Sequence, residues 1–174
     1  YTTLFRSDSV LFLFTGMRRG EVLGLCWENI DWKKKLINVE RAVTFCNNQP
    51  VVGETKSEAG NRAIPLDSQL EAILKSAKKE AGFVIGDGGK PLTERTFTRM
   101  WQRIGKKIDL HGATPHVFRH TCITMAASSG IDVKTLQSIA GHADIKMTMD
   151  RYAHKREEKV MEAGQMIGSV FQAV

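Results

Sequence analysis

The stretch TPHVFRHT, residues 114–121, places two histidines and an arginine within five positions, directly after a proline. Pro115 suits the first position of a helix, with Thr114 as its N-cap. His116, Arg119 and His120 then lie at i, i+3 and i+4, on one helix face. The apolar residues expected to anchor this helix on another face are Phe118, Cys122 and Met125. Free amides at a helix N-terminus, an arginine fork and two imidazoles suit an anion, above all phosphate.

Two other interpretations of this stretch remain open on its residues alone. The HxxxH spacing of His116 and His120 can bind zinc. However, no glutamate follows the first histidine as in a zinc protease, and a third ligand with its own motif is absent from the sequence. The simplest alternative is an ordinary surface helix that happens to carry two histidines.

Three further segments carry groups that could act with this helix. TGMRRGE places Arg18 near a helix start, with Glu21 three residues later and able to brace a cation. Lys56 stands alone in GETKSEAGNR, and AGHADIKMTMDRYAH carries His142 and Tyr152. Taken singly, these are also the features of a capped helix with solvated arginines, a surface lysine and a partly buried tyrosine.

The composition limits the class of protein. The chain has 174 residues, 42% of them hydrophobic, which suits one packed domain. A net charge of +6 favours an acidic partner such as nucleic acid. Three scattered cysteines form no disulfide or zinc pattern, which fits a reducing cytoplasm. No apolar run approaches the roughly 20 residues that span a bilayer, so no membrane partner is expected.

The patterning predicts an α+β fold, mainly α-helical with one small antiparallel β-sheet. Residues 8–15 and 19–25 indicate two short helices, the first capped by Asp8 or Ser9. LINVERAVTF and QPVVGETKSEAGNRAIPL indicate strands, with Lys56 at or near a turn between the last two. Six helical segments follow, among them a short KMTMDRYA, and their expected caps include Asp67, Thr93, Thr114 and Asp132. The last helix is expected from about Arg156 to Val170.

Taken together and in this order, the four segments resemble the blocks of the tyrosine recombinase (phage integrase) family, most closely integrases of phages and conjugative transposons. The first arginine block is similar to TGMRRGEVLGL, the hairpin lysine to TKSEAGNR, the His-x-x-Arg block to HVFRHT, and the last block to AGH and DRYAH. The resemblance covers about residues 8–174. The catalytic positions that it implies are Arg18, Lys56, His116, Arg119, His142 and Tyr152, with Glu21 in support.

The resemblance also implies a mechanism. Arg18, Arg119 and His142 would stabilise the charge of a DNA phosphodiester in its transition state. Tyr152 would attack the phosphorus with help from His116, and Lys56 would protonate the leaving 5′ oxygen. No metal or cofactor is expected, because arginines take the Lewis-acid role.

Partners and domain limits follow from the same resemblance. It implies double-stranded DNA, a homo-oligomer on DNA as a tetrameric synapse, and accessory DNA-bending or excision proteins. Residues 1–7, YTTLFRS, fit no helix start and back-translate into a sequencing-adapter end, so they are expected to be non-native or disordered. Residues 8–174 are expected to be a catalytic domain without the family's N-terminal DNA-clamping domains.

Three other functions are consistent with parts of the sequence. VKTLQSIAGHADIKMTMDRYAH could form a helix-turn-helix of a non-catalytic DNA-binding regulator, although such a protein needs neither Lys56 nor Arg18. A metal-dependent nuclease should have clustered carboxylates, which the sequence lacks. A topoisomerase-like DNA-relaxing enzyme would share the chemistry of a recombinase.

Overall fold

A computed structural model describes residues 2–55, 60–87, 89–107, 112 and 114–141. Six α-helices and small antiparallel sheets lie within these ranges. The helices are α1 (Thr2–Thr15), α2 (Arg19–Gly24), α3 (Ser68–Ala77), α4 (Glu94–Lys107), α5 (Pro115–Ser128) and α6 (Val133–Ala140). The expected α+β, mainly helical class is therefore confirmed.

The strands form three small sheets in the described ranges, where the sequence suggested one. The strands are β1 (Ile30–Asp31), β2 (Leu36–Val39), β3 (Arg41–Cys46), β4 (Gln49–Glu54), β5 (Arg62–Pro65), β6 (Gly86–Asp87) and β7 (Lys90–Pro91). The sheets have the orders β1-β2-β5, β3-β4 and β6-β7, and every pairing is antiparallel. The short strands β1, β6 and β7 were not expected, since two residues are too few for a visible alternation.

The segment that contains Lys56 separates two strands that do not pair with each other. β4 pairs with β3, whereas β5 pairs with β2, with Val39 opposite Arg62. Thr55 N still donates to Glu40 O at 3.2 Å, next to the point where the two ladders part. The expected turn between paired strands is thus replaced by a connection from one sheet to the other. Lys56 itself lies outside the described residues.

Most of the predicted helix caps are present. Asp67, Thr93, Thr114 and Asp132 accept backbone N–H bonds in the first turns of α3, α4, α5 and α6. The predicted cap of α1 at Asp8 or Ser9 is wrong, because the helix already begins at Thr2. No Gly or Pro lies between Thr2 and Asp8 to interrupt it. Whether residues 1–7 are native sequence stays a prediction.

An aromatic cluster joins α1, α4 and α5. Trp101 of α4 makes edge contacts with Phe12 of α1, at a centroid distance of 5.1 Å, and with Phe118 of α5, at 5.3 Å. Phe97 of α4 stacks beside Trp101 at 5.9 Å. Such ring pairs contribute about 0.5–1.5 kcal/mol beyond their buried area. The cluster therefore fixes α4 and α5 on the buried side of α1, which carries Phe12.

Helix α2 lies directly on the backbone of β3. A Cβ atom at Gly20 would stand 2.6 Å from the carbonyl oxygen of Val43, so a side chain there would push the helix away. This close approach holds Arg18 and Glu21, at the start of α2, against the β3-β4 sheet. No helix in the described part of the chain is both long and apolar enough to cross a membrane.

Candidate active site

The turn between α1 and α2 presents Arg18. Gly16 has a φ of +60°, and a Cβ atom there would approach Cys122 Sγ to 3.2 Å. Glycine is therefore favoured in this turn both by the backbone conformation and by the lack of space for a side chain. Arg18 is the N-cap residue of α2, and its backbone N–H donates to Glu21 Oε2 at 2.8 Å. Its side-chain Nη1 donates to Glu21 Oε1 at 2.7 Å. The Arg18 side chain keeps 45% of its surface exposed, so a substrate can reach it.

Arg119 is buried, which corrects the prediction that it shares an exposed face with the two histidines. Its exposed fraction is 5%, whereas His116 and His120 are exposed. Its Nη1 donates to Gly16 O, and its Nη2 donates to Ala140 O at 2.8 Å. A guanidinium can be buried here because main-chain carbonyls replace the water that it loses.

The expected apolar stripe of α5 is partly wrong for the same reason. Met125 is 62% exposed, and Ile123 takes the buried position instead, together with Ala127. Phe118 does anchor the helix through Trp101. Because Arg119 turns inward, the helix is rotated relative to the predicted orientation, and the residue one turn later, Ile123, turns inward with it.

Glu21 is the buried centre of the cluster, and its second partner is a residue that sequence reasoning missed. Arg62 of β5 donates from Nη1 to Glu21 Oε1 at 3.1 Å and from Nη2 to Glu21 Oε2 at 2.9 Å. Glu21 therefore lies between two guanidinium groups, those of Arg18 and Arg62. The only local signal for Arg62 is a charged residue in strand NRAIP at a position that alternation places on the same face as the buried Ile64.

The charges of the cluster shift two pKa values. Burial alone would raise the pKa of Glu21, but the hydrogen bonds and charge of Arg62, and then the bonds from Arg18, outweigh it and lower the pKa. Burial, and then repulsion by Arg18, lower the pKa of Arg119 to about 10. Both groups are therefore charged at neutral pH. The cluster contains three guanidinium groups and one carboxylate, so its net positive charge favours an anion.

Three arginines converge on the C-terminal end of α6. Arg62 Nε donates to Ile139 O at 2.7 Å, Arg119 Nη2 donates to Ala140 O, and Arg18 Nη2 donates to Gly141 O. The last carbonyls of a helix lack intrahelical partners and carry the negative end of its dipole. Three successive carbonyls are each satisfied by a different arginine, which fixes the chain up to the residue before His142.

The other predicted site residues lie outside the described ranges. These are Lys56, His142 and Tyr152. The structure thus brings together Arg18, Glu21 and Arg119 and places His116 on the exposed side of the first turn of α5. Within the described ranges, no three His, Cys, Asp or Glu side chains lie close enough to share a metal ion.

A second charged surface lies on α4. Its residues share one exposed face of the helix, at spacings of four, four and three: Arg95, Arg99, Arg103 and Lys106. None of these four side chains has an ion-pair partner among the described residues. We call this surface the α4 basic face. The spacing is visible in the sequence, but spacing alone does not distinguish a binding surface from a solvated helix face.

The tip of the β3–β4 hairpin caps α4. Asn48 Oδ1 accepts the N–H of Arg95 at 2.8 Å, and Asn48 O accepts the N–H of Glu94 at 3.4 Å. Thr93 Oγ1 accepts the N–H of Thr96 at 3.3 Å. Two residues far apart in sequence thus cap one helix. The bonds from Asn48 tie the α4 basic face to the sheet on which α2 lies.

Comparison with known proteins places this arrangement in a family. The model of the phage integrase family matches residues 7–159. The chain is 27% identical over 173 residues to the ICEBs1 integrase of Bacillus subtilis, covering 91% of this chain and 47% of that protein. It is 28% identical over 176 residues to the transposase from transposon Tn916 of Enterococcus faecalis, covering 88% of this chain and 43% of that protein.

A solved structure agrees with the sequence relatives. The Tn1549 transposon integrase, in complex with transposon right end DNA, superimposes with a TM-score of 0.80 at 26% identity, covering 95% of this chain and 59% of that one. The chain spans about half the length of the curated relatives it matches. The predicted resemblance is confirmed, and the chain belongs to the phage integrase family.

Proposed function

We propose that the chain is the catalytic domain of a tyrosine-type site-specific DNA recombinase, extending over residues 8–174. The observation that carries the proposal is the convergence of Arg18 and Arg119 beside a buried Glu21. The two arginines come from the two sequence blocks that resemble the family's catalytic blocks. Preorganised cations of this kind stabilise the charge that builds on the nonbridging oxygens of a phosphodiester, at about 10²–10³ in rate for each donor.

The remaining steps are assigned to His116, on the exposed side of α5, and to three residues outside the described ranges. The phenolic oxygen of Tyr152 attacks the phosphorus, and its proton passes to a base, for which His116 is the proposed group. The bond from phosphorus to the 5′ oxygen breaks, and Lys56 donates the proton that this oxygen needs. His142 adds a further donor to the nonbridging oxygens. The product is a 3′-phosphotyrosyl link, which keeps the bond energy for rejoining to another strand.

The α4 basic face supports double-stranded DNA as the partner. Four cations along one side of a helix, without ion-pair partners in the described part of the chain, match the regular phosphates of a duplex. Such contacts are the main source of affinity. The proposal includes action in the cytoplasm, as a homo-oligomer on DNA with accessory DNA-bending or excision proteins. A helix-turn-helix regulator is not favoured, since the matched relatives are integrases and transposases.

A covalent-trapping assay tests the proposal. The chain is incubated with DNA nicked near a candidate site, so that the short cleaved strand diffuses away and the adduct accumulates. We expect a protein–DNA band that resists denaturation, persists in excess EDTA, and is lost in Tyr152→Phe and in Arg119→Ala. An adduct that survives in Tyr152→Phe would show that another nucleophile acts. If the adduct is lost in EDTA and recovers when a divalent metal is added, a metal site would be supported instead.

A further inference from the structure

Arg62 has a bonding pattern that differs from those of the two proposed phosphate donors. Its side chain is 4% exposed, compared with 45% for Arg18. Its Nη1 donates to Gly60 O at 3.2 Å as well as to Glu21, Nη2 donates to Glu21, and Nε donates to Ile139 O. Protein groups thus use four of the five N–H donors of a guanidinium. Arg119 is also buried, but among the described residues it bonds through only two of its N–H groups. Arg62, with one N–H donor left, is therefore the arginine of the cluster least able to hold a substrate.

The three partners of Arg62 belong to the three segments that lead to proposed catalytic groups. Glu21 binds the guanidinium of Arg18. Ile139 lies in the last turn of α6, three residues before His142. Gly60 lies four residues after Lys56 in the sequence. The rigid, planar guanidinium of Arg62 therefore links three places: the start of α2, the end of α6 and the residues just before β5.

The shape of the guanidinium, and not only its charge, is needed for these contacts. Nη1 and Nη2 form a two-pronged fork on the two oxygens of Glu21, while Nε points along a third direction to α6. The ammonium group of lysine is a point charge and cannot make both kinds of contact from one position. Lysine at this position would keep the charge but release either Glu21 or the end of α6.

We propose that Arg62 is a positioning residue for the recombination reaction. It sets the orientation of Arg18 through Glu21 and the position of the last turn of α6 through Ile139. The inference rests on the proposed function for its effect on DNA cleavage, but the contacts that carry it are independent of that function. The expected consequence is a protein that binds DNA normally and cleaves it slowly when the fork is lost.

The test compares Arg62→Lys and Arg62→Gln with Arg41→Met as a matched control. Arg41 is also a strand arginine with an ion pair, to Glu28 at 3.7 Å, but its side chain is partly exposed. Single-turnover adduct formation and DNA affinity are measured below the unfolding temperature of each protein. We expect adduct formation to fall by about 100-fold in Arg62→Lys, the effect of misplacing a reacting group by about 1 Å, with affinity within about threefold of the parent.

Amide hydrogen exchange provides a readout that does not depend on activity. In Arg62→Lys, peptides from α6 should exchange faster, whereas peptides from α3 should not change. Equal acceleration in both helices, or cleavage within about threefold of the parent, would overturn the positioning role. So would a failure of both Arg62 variants to fold, which would make Arg62 a folding determinant. If the parent itself forms no adduct, the proposed function fails, and the exchange experiment still decides the role of Arg62.

Discussion

The arginine cluster at the end of α6 and the α4 basic face use the same residue type in opposite ways. In the cluster, Arg62 and Arg119 are buried, and their bonds go to Glu21 and to main-chain carbonyls. On α4, Arg99 and Arg103 are exposed and unpaired among the described residues. The comparison indicates that Arg62, buried with four hydrogen bonds to the protein, holds geometry, whereas the exposed arginines of α4 are available to a partner. Substitutions in the two regions should therefore affect different measurements.

The largest effect is expected from Glu21→Ala. This change leaves Arg62 buried without its carboxylate, and breaking a buried ion pair costs about 3–5 kcal/mol in the free energy of unfolding. Urea denaturation measures the change. Glu28→Ala is the control, since its pair with Arg41 is exposed and should contribute about 0–1 kcal/mol. Equal effects of the two substitutions would remove the distinction between buried and exposed arginines.

The pH dependence of stability should identify Glu21 as the titrating group. Its folded pKa lies below its ordinary value of 4.5, so its stabilising contribution is fully present above about pH 4.5 and is lost as the pH falls through the lowered pKa. The difference in unfolding free energy between the parent and Glu21→Gln should therefore be constant near neutrality and shrink in acid. Urea denaturation between pH 7 and pH 3 measures it. A difference that grows on acidification would contradict the charged pair.

The α4 basic face should affect DNA affinity and leave stability nearly unchanged. Each phosphate contact contributes a slope of about −0.9 in log K against log salt, so Arg99→Gln with Arg103→Gln should reduce the slope by about 1.8. The free energy of unfolding should change by less than about 0.5 kcal/mol. Fluorescence anisotropy at several salt concentrations provides the slope. Lys33→Gln with Lys34→Gln is the control of equal charge, and an identical loss there would mean that only net charge matters.

The smallest effect is expected at the hairpin tip that caps α4. Asn48→Gly keeps the turn, in which Asn48 has a φ of +67°, but removes the side-chain bond to the N–H of Arg95. The cost should be about 0.5–1.5 kcal/mol, the net contribution of one hydrogen bond. Thermal denaturation measures it against Asn47→Gly, which changes the neighbouring turn residue and leaves that bond in place. If both variants are equally stable, the cap contributes nothing.

Features that depend on neighbours in sequence were predictable, and features that depend on distant contacts were not. The N-caps Asp67, Thr114 and Asp132 were predicted because a cap bonds to amides two or three residues away. The burial of Arg119 was not, because the carbonyls that satisfy it come from Gly16 and from α6.

The family blocks pointed to Arg18, Glu21 and Arg119, which the structure brings together, and their roles in catalysis stay a proposal. Arg62 was not predicted, because nothing in NRAIP distinguishes an arginine that bonds to Glu21 from an ordinary strand arginine. The capping of α4 by Asn48 was not predictable either, since Asn48 lies 47 positions before the amide that it binds.

The three bonds at the end of α6 also bear on how the chain folds. They join residues 123, 77 and 21 positions apart, from Arg18, Arg62 and Arg119. Contacts of such long range close large loops and form late, after the local structure. We therefore expect the cluster to be assembled only when nearly the whole domain is in place. A newly made or partly opened chain would lack the complete set of arginines, so the proposed DNA cleavage would begin only after the domain has folded.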